Sequence, residues 1–287
     1  MKEKIFLLFL ILICGVVSNA QERVHVSEVE KRNINGRSML YVNESPYNGI
    51  VYENYESPKL KYTVKDGKKN GAHEVYYKNG RVNRKTSFKN DKYNGTYEEY
   101  YENGQLKIKT GFKSGKYHGA LVMYYKNGQK EAQGNHIDGR FDGIQKKFHE
   151  NGNLKSKISY RYGLKEGPAL KYYENGDLKE TAFYSNDQLS GIYENYYENM
   201  MLYVKTEYTE GEREGVFHMY HENGLLKRKG YYSKGRENGP FEIYHENGKL
   251  KRKGLFKEGR LTGDFETYDQ DGRLVNKTTY KNGQLIG

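Results

Sequence analysis

Apolar and polar residues alternate along most of the chain, and Asn-Gly pairs interrupt the alternation at regular intervals. The stretch YYENGQLKIKTGF, which begins at Tyr100, shows the pattern, because apolar side chains occupy every second position from Leu106 to Ile108 and then Phe112. Alternation with a period of two is typical of a β-strand with one buried face. Asn-Gly supplies the positive φ angles of a tight type I′ turn, so each such stretch predicts a β-hairpin.

The hairpins recur with a period of 24 residues, as the turn glycines Gly80, Gly104 and Gly128 show. A second series of glycines runs with the same period from Gly71 to Gly287, and a third runs from Gly115 to Gly283. A period of this size indicates a repeat array in which each unit packs against its neighbours. Frequent Gly and Asn-Gly leave no helical window of useful length. The predicted fold is all-β, an elongated single-layer antiparallel meander of 24-residue β-hairpin repeats.

A few residues depart from the repeat. Met200 replaces the turn glycine, Asp91 and Asp187 replace glycines of the third series, and the unit around Ser57-Pro58 is two residues short. We expect these units to bend or loosen the sheet.

The register within a hairpin depends on the length of its loop. A two-residue loop at Asn103-Gly104 would place Tyr101 opposite Leu106 and Tyr97 opposite Thr110. A three-residue loop with a bulge would shift the register by one residue, and the sequence leaves this alternative open. With the two-residue loop, one face carries Tyr97, Tyr101, Leu106, Ile108 and Phe112, and the other carries Glu98, Tyr100, Lys107, Lys109 and Lys113.

The repeated phrase resembles the unit of the MORN repeat variant family, which looks like YYENGxLKxxxxYxxGxxxG. The resemblance covers about residues 47–287 and is strongest from Tyr220 to Gly239, YHENGLLKRKGYYSKGRENG. It implies β-hairpin repeats in one elongated sheet, a scaffolding or tethering role, and no catalytic residue. Some bacterial members of the family carry an antitoxin label.

The first twenty residues have the features of a signal peptide. A basic start precedes an apolar run, Ile5 to Val17, and small residues ending at Ala20 form a cleavage site. The run is shorter than the ~20 residues that a membrane-spanning helix needs. Acylation at Cys14 is an alternative, although a bulky residue precedes it. We expect an exported protein whose mature chain begins at Gln21 and resides in the periplasm, at the cell surface or outside the cell.

Residues 21–46 lie outside the repeat and predict an N-terminal capping segment before the array at 47–287. Asn35-Gly36, followed by the apolar stretch Ser38 to Val42, predicts a capping hairpin, and Gly49 marks the start of the array. At the other end of the array an unpaired strand would favour an edge-to-edge homodimer.

The sequence contains little that predicts catalysis. Cys14 is the only cysteine, so the mature chain would have no disulfide and no thiolate ligand for a metal. His221 and His245 lie one unit apart, about 9.6 Å, too far to share a zinc ion. A row of turn glutamates on an open sheet forms no cleft for a glycosidase. We expect no enzyme, no cofactor and no metal.

Composition points to a binding surface. The chain has a net charge of +11, 30 Tyr and no Trp, so tyrosine must supply much of the burial. The aromatic residue before each turn is either a structural stack or a ligand surface, and the Lys and Arg of the returning strands either attract an anionic lipid or polysaccharide or only keep the sheet soluble. Export argues against nucleic acid. The predicted binding residues are Tyr100, Tyr124, Tyr172, Tyr196, Tyr220, Tyr244, Lys227, Arg228, Lys229, Lys251, Arg252 and Lys253.

Together these patterns predict a non-enzymatic exported repeat protein that acts as a protein-protein interaction scaffold or an envelope tether. One alternative is a module that binds cell wall, carbohydrate or anionic lipid; the YYxNG phrase also resembles choline-binding wall repeats, whose ligand cages depend on the tryptophan that this chain lacks. Another is an antitoxin-type or immunity-type partner of a toxin.

Overall fold

The computed structural model describes residues 21–54 and 59–287, and this part of the chain is almost entirely β-sheet. The predicted signal peptide with Cys14, and the short unit at Ser57-Pro58, lie outside the described residues. One long antiparallel meander of hairpins runs through the repeats as an open sheet. The predicted fold class is therefore confirmed.

The N-terminal segment forms a small second sheet and one strand of the long sheet. It contains β1 (Arg23–His25), a 3-10 turn (Val26–Glu28), β2 (Glu30–Ile34), β3 (Arg37–Val42) and β4 (Ser45–Pro46). Strands β2, β3 and β4 form the small antiparallel sheet, and β1 pairs in parallel with the first strand of the array. The turn of the β2–β3 hairpin is at Asn35-Gly36, where Ile34 pairs with Arg37.

The array contains the remaining strands, which pair in chain order with their neighbours. Its first half consists of β5 (Gly49–Glu53), β6 (Leu60–Lys65), β7 (Lys68–Tyr76), β8 (Val82–Lys89), β9 (Lys92–Tyr93), β10 (Gly95–Tyr100), β11 (Leu106–Lys113), β12 (Lys116–Tyr124), β13 (Lys130–Ile137), β14 (Arg140–Phe141), β15 (Gly143–Phe148) and β16 (Leu154–Arg161). Its second half consists of β17 (Leu164–Tyr172), β18 (Leu178–Ser185), β19 (Gln188–Leu189), β20 (Gly191–Tyr196), β21 (Leu202–Thr209), β22 (Glu212–Tyr220), β23 (Leu226–Ser233), β24 (Arg236–Glu237), β25 (Gly239–Tyr244), β26 (Leu250–Lys257), β27 (Arg260–Tyr268), β28 (Leu274–Lys281) and β29 (Gln284–Leu285).

The Asn-Gly turns of the repeated phrase YYENG are three-residue loops, so the two-residue type I′ turn predicted there was wrong. The N–H of Tyr101 donates to the carbonyl of Gln105, and the N–H of Gly104 donates to the carbonyl of Tyr101, both at 2.8 Å. Of the loop residues only Gly104 has a positive φ, +90°. The Oδ1 of Asn103 accepts the N–H of Gln105 at 3.0 Å, which stabilises a type I turn and leaves the left-handed position to glycine.

The three-residue loop changes the register next to the turn. Tyr97 pairs with Thr110, as predicted with the two-residue loop, but Tyr100 and not Tyr101 pairs with Leu106. A bulge beside Glu99 absorbs the extra residue. The bulge was the alternative that the sequence left open.

The two-residue turns with positive φ at both positions lie at the opposite edge of the sheet, on the third glycine series. Ser114 and Gly115 have φ of 52° and 85°, and the flanking lysines pair directly. Asp91 and Asp187 adopt the same conformation, with φ of 63° and 67°. Met200 takes the left-handed position of the turn glycine with φ of 64°, and its hairpin keeps the common register. The expected loosening at these residues was therefore wrong.

The two faces of the sheet differ in chemistry. We call the face of Tyr97, Thr110 and Phe112 the aromatic face, because the rings of Tyr97 and Phe112 are in contact at 5.6 Å. We call the opposite face, with Glu98 and Lys109, the charged face, because these two side chains form an ion pair at 2.9 Å.

Lys107 was predicted for the charged face and lies on the aromatic face instead. Its Nζ bonds Glu99 at 2.7 Å, and the same carboxylate accepts the hydroxyl of Tyr97 at 2.9 Å. The bulge is the cause, because it adds a residue to the returning strand and turns Lys107 over.

Most of the buried side chains of the array lie on the aromatic face. Its central residues are nearly inaccessible to solvent, and Thr110, Ala169, Thr206, Phe217 and Phe241 are 2 to 4% exposed. A chain of ring contacts crosses this face at 4.5 to 5.7 Å through Tyr62, His73, Phe88, Tyr93, Phe112, Tyr117, His136, Phe141 and Tyr160. Aromatic contacts between neighbouring strands thus replace the second layer that a β-sandwich would have.

In the part of the chain that the structure describes, the compact hydrophobic core lies where the N-terminal segment packs on the first strands of the array. It contains Val24, Tyr47, Val51, Tyr62 and Val64, all at most 6% exposed. Leu40 of β3 packs against this cluster, and its N–H donates to the carbonyl of Gly67 at 2.7 Å. The N-terminal segment therefore covers the start of the array.

Candidate interaction surface

The second tyrosine of the phrase YYENG joins one repeat to the next. The hydroxyl of Tyr101 donates to the carbonyl of Tyr124 at 2.7 Å, and that of Tyr173 donates to the carbonyl of Tyr196 at 2.6 Å. The same bond recurs from Tyr77, Tyr125 and Tyr197. This tyrosine is therefore a structural residue.

Three histidines occupy the same position and make the same contact. The Nε2 atoms of His149, His221 and His245 lie 3.1 to 3.2 Å from the corresponding backbone carbonyl oxygens of the next repeat. Turn asparagines add a second contact, as Asn223 does by donating to the carbonyl of Glu246 at 2.9 Å. These histidines thus serve repeat packing, and within residues 21–54 and 59–287 no three His, Cys, Asp or Glu residues form a group that could hold a metal ion.

The first tyrosine of the phrase, which was predicted to bind a ligand, lies half-buried on the charged face. Tyr100 donates to Glu98 and Tyr196 donates to Glu194, both at 2.7 Å. Burial and then the bond to the carboxylate raise the pKa of each of these tyrosines to about 12. Tyr244 bonds Glu242 in the same way. These three hydroxyls are already occupied within the fold.

The other three predicted tyrosines have no carboxylate two residues before them. Val122, Leu170 and His218 stand there instead, and among the described residues the hydroxyls of Tyr124, Tyr172 and Tyr220 have no hydrogen-bond partner. The ring of Tyr220 contacts that of His218 at 6.2 Å. This half of the predicted tyrosine series has hydroxyl protons that remain free to be donated to a ligand.

The predicted basic residues do not form one surface. On the charged face, Lys229 pairs with Glu242 at 2.7 Å and Lys253 pairs with Glu266 at 2.9 Å. On the aromatic face, Arg228 forms an ion pair with a glutamate.

The remaining basic residues also belong to the aromatic face. Arg252 is exposed and pairs in register with Ile243. Lys227 and Lys251 line a shallow groove of about 540 Å³ with His221 and His245. Strand alternation and the bulge explain the separation, because consecutive residues of a strand point to opposite faces.

Glutamate and lysine alternate across the charged face, strand by strand. From β20 to β28 each of the following residues pairs directly with the next, and a histidine takes the place of one glutamate: Glu194, Lys205, His218, Lys229, Glu242, Lys253, Glu266 and Lys277. Burial, together with Lys229 and Lys205, lowers the pKa of His218. The alternation fails in the middle of the sheet, where Lys146 stands directly opposite Lys157. The charged face thus carries both signs of charge, with a local excess of positive charge at its centre.

A row of exposed apolar residues runs beside this charge row. Pairs in register are Pro168 with Phe183, Val216 with Tyr231, and Pro240 with Leu255. Six large apolar side chains of the row are 41 to 55% exposed: Ile144, Phe183, Ile192, Val216, Tyr231 and Leu255. Sequence reasoning missed this row. Its signal is an apolar residue or proline directly after a glycine of the second series, at Ile144, Pro168, Ile192, Val216 and Pro240.

An open, single-layer array of β-hairpins with one exposed amphipathic face defines the class of this protein. Six segments match the profile of the MORN repeat variant: residues 69–90, 93–114, 141–162, 165–186, 237–258 and 261–282. The chain belongs to the MORN repeat variant family, as the repeated phrase suggested. Family and fold support a repeat protein with a binding role.

Similarity to solved structures is weak. The crystal structures of TcdB2-TccC3-Cdc42 and of TcdB2-TccC3 match at 12% identity over 89% and 90% of this chain and 18% and 19% of those chains, with TM-scores of 0.18 and 0.19. This chain thus spans about a fifth of their length. A porin-like protein from Bacteroides uniformis ATCC 8492 matches at 10% identity over 80% of this chain and 95% of its own, with a TM-score of 0.18. At these scores the matches carry no argument about function.

No curated protein matches the chain. Among the described residues there is no helix that is both long and apolar enough to cross a membrane.

Proposed function

We propose that this protein is an exported, non-enzymatic interaction scaffold that docks another protein on its charged face. The observation that carries the proposal is the exposed apolar row from Ile144 to Leu255. Ser159 and Glu207 pair with Ile144 and Ile192 and divide the row into shorter apolar stretches. Exposed apolar surface rimmed by polar groups is typical of protein interaction sites. The aromatic face is the weaker candidate, because its central residues pack against one another.

The charges beside the row favour a protein over a uniformly charged polymer. Lys205, Lys229 and Lys253 each have a glutamate as ion-pair partner on the same face. A surface with alternating signs complements a surface that also carries both signs, as protein surfaces do. An anionic lipid or polysaccharide would favour a face of one sign. The pair Lys146 and Lys157 offers only a small patch of that kind.

A cross-linked pull-down from envelope and soluble fractions tests the docking surface. The bait is the chain from residue 21 to 287, compared with a double variant, Ile192→Lys with Val216→Lys, that places charges in the apolar row. The matched control is Met201→Lys with Leu225→Lys, since these side chains are similarly exposed, at 47% and 44%, in the same two repeats but at the turn edge.

We expect one protein to be retained by the native bait and the control and lost with the row variant. Equal retention by all three baits would remove the charged face from consideration. Retention of only lipid or wall polymer, released by salt, would make the protein an envelope tether or a wall-binding module. A toxin bound one to one would instead support the antitoxin-type role.

Export is the part of the proposal that rests on residues 1–20 alone. The basic start, the short apolar run and the small residues before Gln21 are its support. Intact-mass measurement of the protein from fractionated cells tests it. A chain beginning at Gln21 supports cleavage and release into the envelope, a lipid-modified Cys14 would mean a membrane-anchored protein, and an uncleaved cytoplasmic chain would contradict export.

An edge-to-edge homodimer is a separate proposal. Strand β28 pairs with β27 on one side, and on its other side only the short β29 pairs with it, so Leu274 and Val275 are 54% and 64% exposed. An open strand edge with exposed apolar side chains can template pairing with another chain. Light scattering tests this proposal, and a monomer at high concentration would contradict it.

A further inference from the structure

A cleft lined by cationic residues lies between the N-terminal hairpin and the first repeats. It has a volume of about 830 Å³, within the range of small-molecule sites. Five cationic residues line it, Lys31, Arg37, Lys68, Lys69 and Lys92, together with the single carboxylate of Asp91. Five positive charges against one negative charge leave the lining with a net charge of +4.

The one carboxylate of the cleft, that of Asp91, already accepts a hydrogen bond from the backbone. The Oδ1 of Asp91 accepts the N–H of Lys69 at 2.8 Å, and the N–H of Asp91 donates to the carbonyl of Lys69 at 3.0 Å. Across residues 21–54 and 59–287, none of the five cations takes part in an ion pair. The positive charge of the cleft is therefore largely uncompensated.

Lys69 is the cation held most closely by the walls. Its Nζ lies 4.8 Å from the centre of the Tyr62 ring and 5.4 Å from that of Phe88. Burial, and then the nearby charges of Arg84 and Lys31, lower its pKa despite the opposing effect of Asp91. An ammonium group between aromatic rings and like charges gains the most when an anion approaches it.

The N-terminal hairpin makes this cleft different from the rest of the array. Lys165 occupies the same repeat position as Lys69, lies 4.6 Å from the Tyr184 ring, and has the same backbone bond to an aspartate, Asp187, at 2.7 Å. Over Lys69, however, the hairpin β2–β3 is held by the bond from Leu40 to Gly67 and adds Lys31 of β2 and Arg37 of β3 to the site. The cleft thus arises from the packing of β2–β3 on the array.

We propose that this cleft binds a small organic anion, a phosphate or carboxylate with an aromatic or apolar body. The cations would hold the anionic group through charge-assisted hydrogen bonds, and Tyr62, Phe88 and Leu40 would contact the apolar part. The site is separate from the charged face, so it adds a ligand to the proposed scaffold and does not depend on that scaffold's partner.

Isothermal titration of the chain from residue 21 to 287 with phenyl phosphate tests the proposal, with inorganic phosphate and phenol as partial probes. We expect one saturable site for phenyl phosphate. Inorganic phosphate lacks the aromatic ring and phenol lacks the anionic group, so each should bind at least about tenfold more weakly. Lys69→Met should weaken phenyl phosphate about tenfold, since methionine keeps the packing on Tyr62 and Phe88 but removes the charge.

Lys165→Met is the matched control, because it removes the same charge where no hairpin covers it, and it should leave the affinity unchanged. Arg37→Ala on the exposed side of the cleft should also weaken binding, which keeps the test valid if Lys69→Met lowers the stability of the fold. Absence of saturable binding, or equal losses with Lys69→Met and Lys165→Met, would overturn the proposal.

Discussion

The hydroxyl of Tyr125 donates to the carbonyl oxygen of Phe148, 2.8 Å away in the next repeat. Tyr124, its neighbour in the sequence, lies on the opposite face, and its hydroxyl has no hydrogen-bond partner in the part of the chain that the structure describes. The two tyrosines of one phrase therefore have different roles. One joins repeats, and the other presents its ring and hydroxyl to the charged face.

Tyr125→Phe is expected to destabilise the array, and Tyr124→Phe is expected to leave it nearly unchanged. Loss of the Tyr125 hydroxyl removes one hydrogen bond and leaves the carbonyl of Phe148 without that donor, which costs about 1 kcal/mol of the free energy of unfolding. Urea unfolding followed by circular dichroism measures both variants. Equal stability of the two would show that the bond between repeats contributes nothing.

His73 makes the stability of the first repeats depend on pH. It is 5% exposed, stacked between Tyr62 and Phe88, and burial, with the charges of Lys69 and Arg84, lowers its pKa from 6.5 to about 4. The unfolded chain therefore binds this proton more readily than the folded chain. The stabilisation is complete above pH 6.5 and is lost as the pH falls toward 4.

His73→Phe should remove that contribution, because phenylalanine occupies the same repeat position at Phe217, Phe241 and Phe265 without a titrating group. We expect the melting temperature of the variant to fall less than that of the native chain between pH 6.5 and 4. Parallel pH profiles for the two chains would contradict the assignment to His73.

Local chemistry explains which features could be predicted from the sequence. The 24-residue period, the hairpins and the single sheet follow from Asn-Gly and from alternation, which act within a few residues. The turn type did not follow, because Asn-Gly suits two kinds of loop, and the Oδ1 of Asn103 selects the longer one by bonding Gln105. The basic residues Lys227 to Lys229 were predicted on one surface but lie on two. Strand alternation separates Arg228 from Lys229, and the bulge that follows from the longer loop turns Lys227 to the face of Arg228.

The exposed row and the basic cleft depend on contacts between distant segments. Val216 and Tyr231 become neighbours only through strand pairing, so their shared exposure cannot be read from either stretch alone. Arg37 and Lys69 meet only because the hairpin β2–β3 packs on the array. The 24-residue repeat predicts the hairpins that recur in every unit. The exposed row and the basic cleft arise at positions where the sequence differs between units or where the N-terminal segment packs on the array.

The break in the charge row predicts a stabilising substitution. Lys146 and Lys157 stand directly opposite each other on β15 and β16, where Glu98 and Lys109 form an ion pair two repeats earlier. Lys146→Glu would replace a repulsion by an attraction and should stabilise the chain by about 0.5 kcal/mol. Thermal melts at low and high salt measure the gain, which should shrink as salt screens the pair. A gain that persists at high salt would point to a cause other than charge.

Met200 predicts a second stabilising substitution and explains why the turn position elsewhere is glycine. Its φ of 64° lies in the left-handed region, and its side chain is 65% exposed, so the residue is strained without gaining burial in return. Met200→Gly should relieve a strain of roughly 1 kcal/mol, reduced somewhat by the greater freedom of glycine in the unfolded chain.

The reverse change in the next repeat is the matched comparison. Gly224 has a φ of 82°, and a Cβ there would meet only the Sδ of Met201 at 3.5 Å, so Gly224→Ala tests backbone strain without a steric clash. We expect Gly224→Ala to lower the midpoint of urea unfolding and Met200→Gly to raise it. If Met200→Gly instead lowers the midpoint, the methionine side chain contributes a contact that outweighs its strain.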